Sequence, residues 1–215
     1  MIVDERYTTY LNSLYPDLSP VLSDIRREAL EAFVPIIRDE TVNLLRTLIK
    51  MNRPKNILEV GAAVGFSSCI MAEAAGKAAK ITTIENYEPR IPIAMANIKK
   101  AGKEKQITLI EGDAIDVLPT LQGPYDFIFM DAAKGQYINF WPDIKRLISD
   151  GGIVVTDNVL QDGDIIESRY AIVRRNRTIH KRMRDYLYEL THDKHFVTTI
   201  LPLGDGVSIS VKGIK

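Results

Sequence analysis

From residue 54 onward the chain alternates between short runs rich in β-branched and aromatic residues and longer stretches with apolar positions three or four apart. The runs 56–61, 80–85, 106–111, 125–131 and 152–157 predict strands, and the stretches 66–75, 89–101, 114–120 and 136–148 predict the helices between them. Strands alternating with helices predict a doubly wound α/β fold with a mostly parallel, seven-stranded sheet. A long helix is predicted over 165–191. The last two runs, 195–201 and 207–212, flank Gly-Asp-Gly at 204–206, too short a link for a parallel crossover, so they predict an antiparallel hairpin.

Residues 1–53 carry a different pattern: helices over 4–14, after Ser19-Pro20, and over 39–50. Ser19 followed by Pro20 is the pattern of a helix start, and Leu44, Leu45, Leu48 and Ile49 recur at helical spacing, predicting one buried face. The expected organisation is a helical extension, 1–53, packed on a core domain, 54–215.

Composition narrows the class. With 46% hydrophobic and 26% charged residues over 215 positions, the chain is neither disordered nor fibrous and can bury a sizeable core. The single cysteine, Cys69, allows no intrachain disulfide and suits a reducing compartment. Charges at Asp4, Glu5 and Arg6 fall where a signal peptide would be apolar, and no apolar run approaches the ~18 residues of a membrane span. A soluble, cytoplasmic protein is expected, without a membrane partner.

Candidate chemistry sits at the predicted strand ends. The first strand runs into Glu59-Val60-Gly61-Ala62-Ala63-Val64-Gly65-Phe66-Ser67. Gly61 and Gly65 allow close backbone approach to a ligand, and the helix that follows offers free N–H groups. Position 63 is Ala, so the G-x-G-x-x-G dinucleotide fingerprint is absent. Glu85 ends the second strand, where a carboxylate can accept both ribose hydroxyls, and Gly112-Asp113-Ala114 follows the third, where an adenine edge would fall. Any one of these is an ordinary turn, strand-end acid or cap; three at successive strand ends favour a nucleoside-type cofactor.

Asp131 ends the fourth strand and Asp157-Asn158 ends the fifth. Adjacent parallel strands would set two carboxylates and an amide oxygen side by side, hard donors suited to Mg²⁺, Ca²⁺ or Mn²⁺. Lys134 follows Asp131 by three positions, and a nearby cation would lower its pKa as a base requires. Either acid alone would more often be a cap, and the lysine alone a surface residue.

The glycine turn, Glu85, Asp131-x-x-Lys134 and Asp157-Asn158 together resemble the metal-dependent catechol and caffeoyl-CoA type O-methyltransferases, which use S-adenosylmethionine on a class I methyltransferase fold. The resemblance spans nearly the whole chain. It implies that Asp131, Asp157 and Asn158 hold Mg²⁺ and that Lys134 is the catalytic lysine. It further implies that Glu59, Gly61, Ser67, Glu85, Ala114 and Asp131 contact S-adenosylmethionine, that Ile36 closes the site, and that the protein is a homodimer. The chain departs from the catechol enzymes at Ala132-Ala133, where they carry bulkier polar or aromatic residues.

The zero net charge conceals an asymmetry. Residues 169–184 contain seven Lys/Arg and no acid, leaving the remainder at −7. On a helix, Arg174, Arg177, Lys181 and Arg184 share one side with Arg175 and Arg182 at its flanks, and Ile172, Ile179, Met183 and Leu190 lie opposite. This is either a solvated face or a positive field for phosphates. Together with 157–163, it resembles the bacterial tRNA 5-hydroxyuridine methyltransferases, implying that the 5-hydroxyl of wobble 5-hydroxyuridine in the anticodon loop is methylated to 5-methoxyuridine. The rival acceptor is a small catechol or phenylpropanoid. A non-catalytic RNA-binding module is a third alternative, against which the intact Asp131, Lys134, Asp157 and Asn158 set speaks. His180, His192 and His195 show no ligand spacing; Cys69 suits a small core position, and Trp141, Tyr7, Tyr10 and Tyr15 suit packing or a subunit contact.

Overall fold

The computed structural model describes residues 3–214. Three helices, α1 (Glu5–Ser13), α2 (Pro20–Glu31) and α3 (Asp39–Asn52), precede β1 (Asn56–Val60). The alternating part then runs α4 (Phe66–Ala75), β2 (Lys80–Glu85), α5 (Ile91–Lys100), β3 (Ile107–Glu111), α6 (Ala114–Val117), β4 (Tyr125–Met130), α7 (Tyr137–Leu147) and β5 (Ile148–Thr156). It closes with α8 (Arg177–His192), β6 (Phe196–Leu201) and β7 (Val207–Lys212).

The seven strands are ordered β3-β2-β1-β4-β5-β7-β6. All neighbours from β3 to β5 are parallel, and β7 pairs antiparallel with both β5 and β6. This is the Rossmann-like arrangement expected of the alternating pattern. The order reverses between β1 and β4, the crevice where doubly wound sheets bind ligands.

Strand periodicity divides the core. Ile57, Phe127 and Phe129 face one side, against α2, α3 and α4 through Ile25, Leu45, Ile49 and Ile70. Leu58, Val60, Ile128 and Met130 face the other, against α7 and α8 through Trp141, Ile144, Met183 and Tyr186. α4 is buried nearly all round, including Cys69, which explains its lack of a polar stripe. On α3, Leu45 and Ile49 are buried together with Thr41 and Val42. Ser19 stands at the N-cap of α2, but its hydroxyl donates to Glu73 Oε2 at 2.8 Å instead of capping the helix. Trp141 is buried, whereas Tyr7, Tyr10 and Tyr15 are exposed. Among the described residues, no helix is long and apolar enough to cross a membrane.

Two elements differ from expectation. β5 begins at Ile148, not 152, because Ile148 pairs with Tyr125 across a register shift. The helix expected over 165–191 begins only at Arg177. Gln161, Asp162 and Gly163 have left-handed backbone, with φ of 50°, 54° and 98°, which breaks helical continuity. The exposed Ile166, Tyr170 and Val173 supply no buried stripe until His180, Met183, Tyr186 and Leu190. Ile172 is buried but lies outside the helix, and Ile179, expected on the apolar face, is 39% exposed.

Candidate active site

One cavity of about 610 Å³ opens at the C-terminal ends of β1, β2, β4 and β5. Ile36, Gly61, Glu85, Asp113, Ala114, Asp131, Lys134, Asp157 and Asn158 all line it, although more than 120 residues separate the first from the last. Glu59, Gly65 and Ser67 do not line it.

Gly61 is fixed by space. Its φ is +101°, and an added Cβ would stand 2.1 Å from the Asp131 carbonyl oxygen. The ends of β1 and β4 can therefore approach only through a residue without a side chain. Gly65 serves packing instead: at φ +76°, its absent Cβ leaves room for the Ala94 backbone of α5. Glu85 shapes the same turn. It accepts the N–H of Ala63 at 2.7 Å on one oxygen and those of Asn86 and Tyr87 at 3.0 and 2.8 Å on the other. Oε2, which accepts a single N–H, retains acceptor capacity for a ligand. Asp113 caps α6 by accepting from Ile115 N at 3.0 Å while lining the wall.

Glu59 lies beneath the floor and is fully buried. Its Oε2 accepts from Ser68 Oγ and from Thr83 Oγ1, and its Oε1 has no partner among the described residues. Burial pushes this carboxyl up to about 7, against the pull of the Ser67, Ser68 and Thr83 hydroxyls.

The acidic end of the cavity joins two strands. Asn158 Nδ2 donates to Asp131 Oδ1 at 2.9 Å, and Asn158 N to Asp157 Oδ1 at 2.8 Å. Asn158 adopts φ +62°, a conformation asparagine tolerates better than most residues. Asp157 is 4% exposed, and burial followed by the nearby Asp131 raises its carboxyl to about 7. Burial raises Asp131 too, opposed by the Asn158 hydrogen bond and the Lys134 charge. Two neighbouring buried carboxylates make each other's ionisation costly. Asp131, Asp157 and Asn158 are oxygen donors of the kind that could hold a divalent cation.

Several residues here escaped the sequence reading. Tyr137, wholly buried, donates its hydroxyl to Ala132 O and accepts from Ala132 N, both at 3.2 Å, holding the segment after Asp131. Thr41 on α3 lines the cavity beside Asp157, and its hydroxyl opposes the rise in that carboxyl. Arg38 Nη2 pairs with Asp205 Oδ1 at 2.8 Å, and Lys134 Nζ stands 3.9 Å from Asp205 Oδ2. A buried aspartate inside a Gly-Asp-Gly turn was the one visible signal. Thr41 had none beyond its place on a buried helical face.

The basic residues divide. Arg177 Nε donates to Ile172 O at 3.0 Å, Lys181 pairs with Asp185 at 2.8 Å, and Arg184 reaches Ile165 O at 3.5 Å, so these three are occupied by the protein itself. Asp185 lies just beyond the acid-free run, which is why that pairing was unforeseen. Arg174 and Arg175 form a short 3-10 turn before α8 and are exposed. Exposed Arg182 donates to the Gly135 carbonyl at 3.2 Å, between the cavity-lining Lys134 and Gln136.

The family pattern described as O-methyltransferase matches residues 12–213. The chain belongs to the O-methyltransferase family. Caffeoyl-CoA O-methyltransferase 2 of Populus trichocarpa is 34% identical over 179 residues, covering 77% of this chain and 70% of the poplar protein. A catechol O-methyltransferase of Niastella koreensis is 38% identical over 128 residues, a match that spans 57% of this chain and 58% of that protein's length. In structure, the chain superposes on a putative caffeoyl-CoA O-methyltransferase from Staphylococcus aureus with a TM-score of 0.87 at 34% identity, covering 97% of this chain and 98% of that one. An O-methyltransferase from Bacillus cereus, solved in complex with SAH, shares the fold at 22% identity and a TM-score of 0.84, covering 95% of this chain and 96% of that one.

Proposed function

We propose that the protein transfers the methyl group of S-adenosylmethionine to one of two vicinal oxygens of an acceptor, with a divalent cation beside them. The observation that carries this reading is the convergence of Asp131, Lys134, Asp157 and Asn158 on the cavity that Gly61 and Glu85 also line. Family membership and the SAH in the Bacillus cereus neighbour add support.

The donor set fits a hard cation. Burial raises both Asp131 and Asp157, and Asp131 raises Asp157 further, a cost that added positive charge would relieve. A half-turn of the Asn158 amide would present its oxygen in place of Nδ2. S-adenosylmethionine supplies an electrophilic methyl group, and Mg²⁺ or a similar ion supplies charge that lowers the pKa of the acceptor hydroxyl.

The chain's own residues do the rest. Glu85, Asp113 and Ala114 hold the nucleoside, and Ile36 closes the cavity from the α2–α3 connection. Glu59, held by Ser68 and Thr83, supports the floor beneath the glycine turn. Lys134 takes or orients the acceptor's hydroxyl proton at Nζ. Holding the oxygen at near-attack distance contributes several kcal/mol, roughly 7 or more for ideal alignment.

Two acceptors suit this chemistry. The names of the relatives favour a catechol or caffeoyl-type small molecule. One surface feature favours the second, the 5-hydroxyl of wobble 5-hydroxyuridine in tRNA, whose 4-oxo neighbour completes the vicinal pair. That feature is Arg182, bound at the cavity lip to Gly135, with Arg174 and Arg175 exposed at the start of the same basic segment. Offering labelled S-adenosylmethionine and Mg²⁺ with caffeate-type catechols or hydroxyuridine-containing tRNA separates the two.

A further inference from the structure

We propose that Asp205 is a positioning residue that holds the Lys134 ammonium over the cavity, an inference that rests on the methyl-transfer reading above. Lys134 rises from a short 3-10 turn, Lys134–Gln136, on a four-carbon stem that is 36% exposed. Such a stem swings freely unless a counter-charge fixes its end. The carboxylate that meets it belongs to the opposite wall: Asp205 Oδ2, 3.9 Å from Nζ, on a side chain only 11% exposed.

Asp205 is itself held from three directions. Arg38 Nη2 takes its other oxygen at 2.8 Å, which orients the carboxylate and leaves Oδ2 toward Lys134. Arg38 also stands 3.8 Å from Asp162, so two cations and two carboxylates balance at the rim. The backbone of the turn is clipped to the segment after Asn158: Leu160 N donates to Asp205 O at 2.8 Å and Val159 N to Gly206 O at 2.9 Å. Gly206 makes this contact possible, since a Cβ there would stand 2.3 Å from Leu160 Cγ at φ +88°. One turn thus braces the backbone behind Asp157-Asn158 and aims the side chain that fixes Lys134.

The test compares full-length wild type, D205N and D205E. In D205N, kcat falls about tenfold or more while cofactor affinity and acceptor KM stay within about twofold, and D205E, which keeps the charge, recovers part of the loss. In a Lys134→Met background, D205N changes the residual rate by less than about twofold, because its effect passes through the lysine. Crystal structures of wild type and D205N supply a readout independent of turnover: Nζ leaves the cavity in the variant. An unchanged kcat, losses that multiply in the double variant, or Nζ remaining in place overturns the inference. If D205N does not fold, Asp205→Ser carries the same expectations. A wild type that methylates no vicinal-oxygen acceptor defeats the methyl-transfer reading, and the crystal structures then decide the Asp205 contact alone.

Discussion

The Asn158 side-chain amide donates to Asp131 Oδ1 at 2.9 Å and so ties the end of β5 to the end of β4. Beside that link, burial and the neighbouring Asp131 oppose the ionisation of Asp157. A bound divalent cation should remove this opposition and stabilise the fold. At a hundred times its dissociation constant, Mg²⁺ is expected to add about 2.7 kcal/mol, a rise in Tm of roughly 5–10 °C for a chain of this size. Asp157→Asn, which discharges one ligand, should raise the metal-free Tm or leave it unchanged and abolish the Mg²⁺-dependent rise. Differential scanning calorimetry with and without EDTA checks both; an equal rise in the variant would place the cation elsewhere.

Glu59 predicts a pH dependence of stability. Its folded pKa of about 7 lies above the ordinary 4.5, so between those values the native state binds more protons than the unfolded one. Its contribution is fully present below 4.5 and is lost as pH rises through 7. Glu59→Gln removes that loss, so the stability of the variant relative to wild type should improve on the order of 3 kcal/mol from pH 4.5 to above 7. Urea unfolding across that range measures it, and a change of opposite sign would show that the carboxylate is charged in the folded protein.

Two glycines with positive φ should respond unequally to alanine. Gly61 and Gly76 have φ of +101° and +83°, but an added Cβ meets Asp131 O at 2.1 Å in the first and nothing within 4 Å in the second. Gly76→Ala, at φ +83° and ψ 174° in a region essentially confined to glycine, should cost about 1–3 kcal/mol in backbone strain alone. Gly61→Ala should cost several, at least ~3 kcal/mol, and weaken S-adenosylmethionine binding as the β1 and β4 ends separate. Chemical denaturation and calorimetric titration test the contrast; equal costs would mean that the strand ends part easily.

Arg174 and Arg175 carry the case for an RNA acceptor. If they neutralise phosphates, replacing both with alanine should weaken binding of an anticodon stem-loop. The slope of log affinity against log salt should then fall in magnitude by roughly 0.7 for each phosphate that the variant leaves unneutralised. Filter binding at several salt concentrations reads both, and an unchanged slope removes the surface argument for tRNA.

Much of the fold was legible because strand and helix periods alternate cleanly after residue 54, where the central strands of the parallel part bury both faces. The strand-end residues Glu85, Asp113, Asp131 and Asp157 were legible for the same reason, since topology alone brings successive strand ends to one rim. Arg38, Thr41 and Asp205 were not, because they reach the cavity from a helix connection, a helix face and a hairpin turn that no local period marks. The segment before α8 misled: its charges resemble a helix face, yet the left-handed Asp162-Gly163 pair and the exposed Ile166, Tyr170 and Val173 prevent one from forming. Glu59 and Gly65 show the opposite case, residues in a ligand-like turn whose visible contacts are with Ser68, Thr83 and Ala94.

Methyl transfer from labelled S-adenosylmethionine, measured with Mg²⁺ or with EDTA and with catechol or hydroxyuridine-containing tRNA, tests the central claim most directly. Wild type should label one of the two acceptors in a Mg²⁺-dependent manner, and Lys134→Ala should lose about a hundredfold or more in turnover with cofactor affinity kept within about twofold. Labelling that persists in EDTA, an unchanged rate in Lys134→Ala, or labelling of neither acceptor would contradict a cation-assisted transfer to vicinal oxygens.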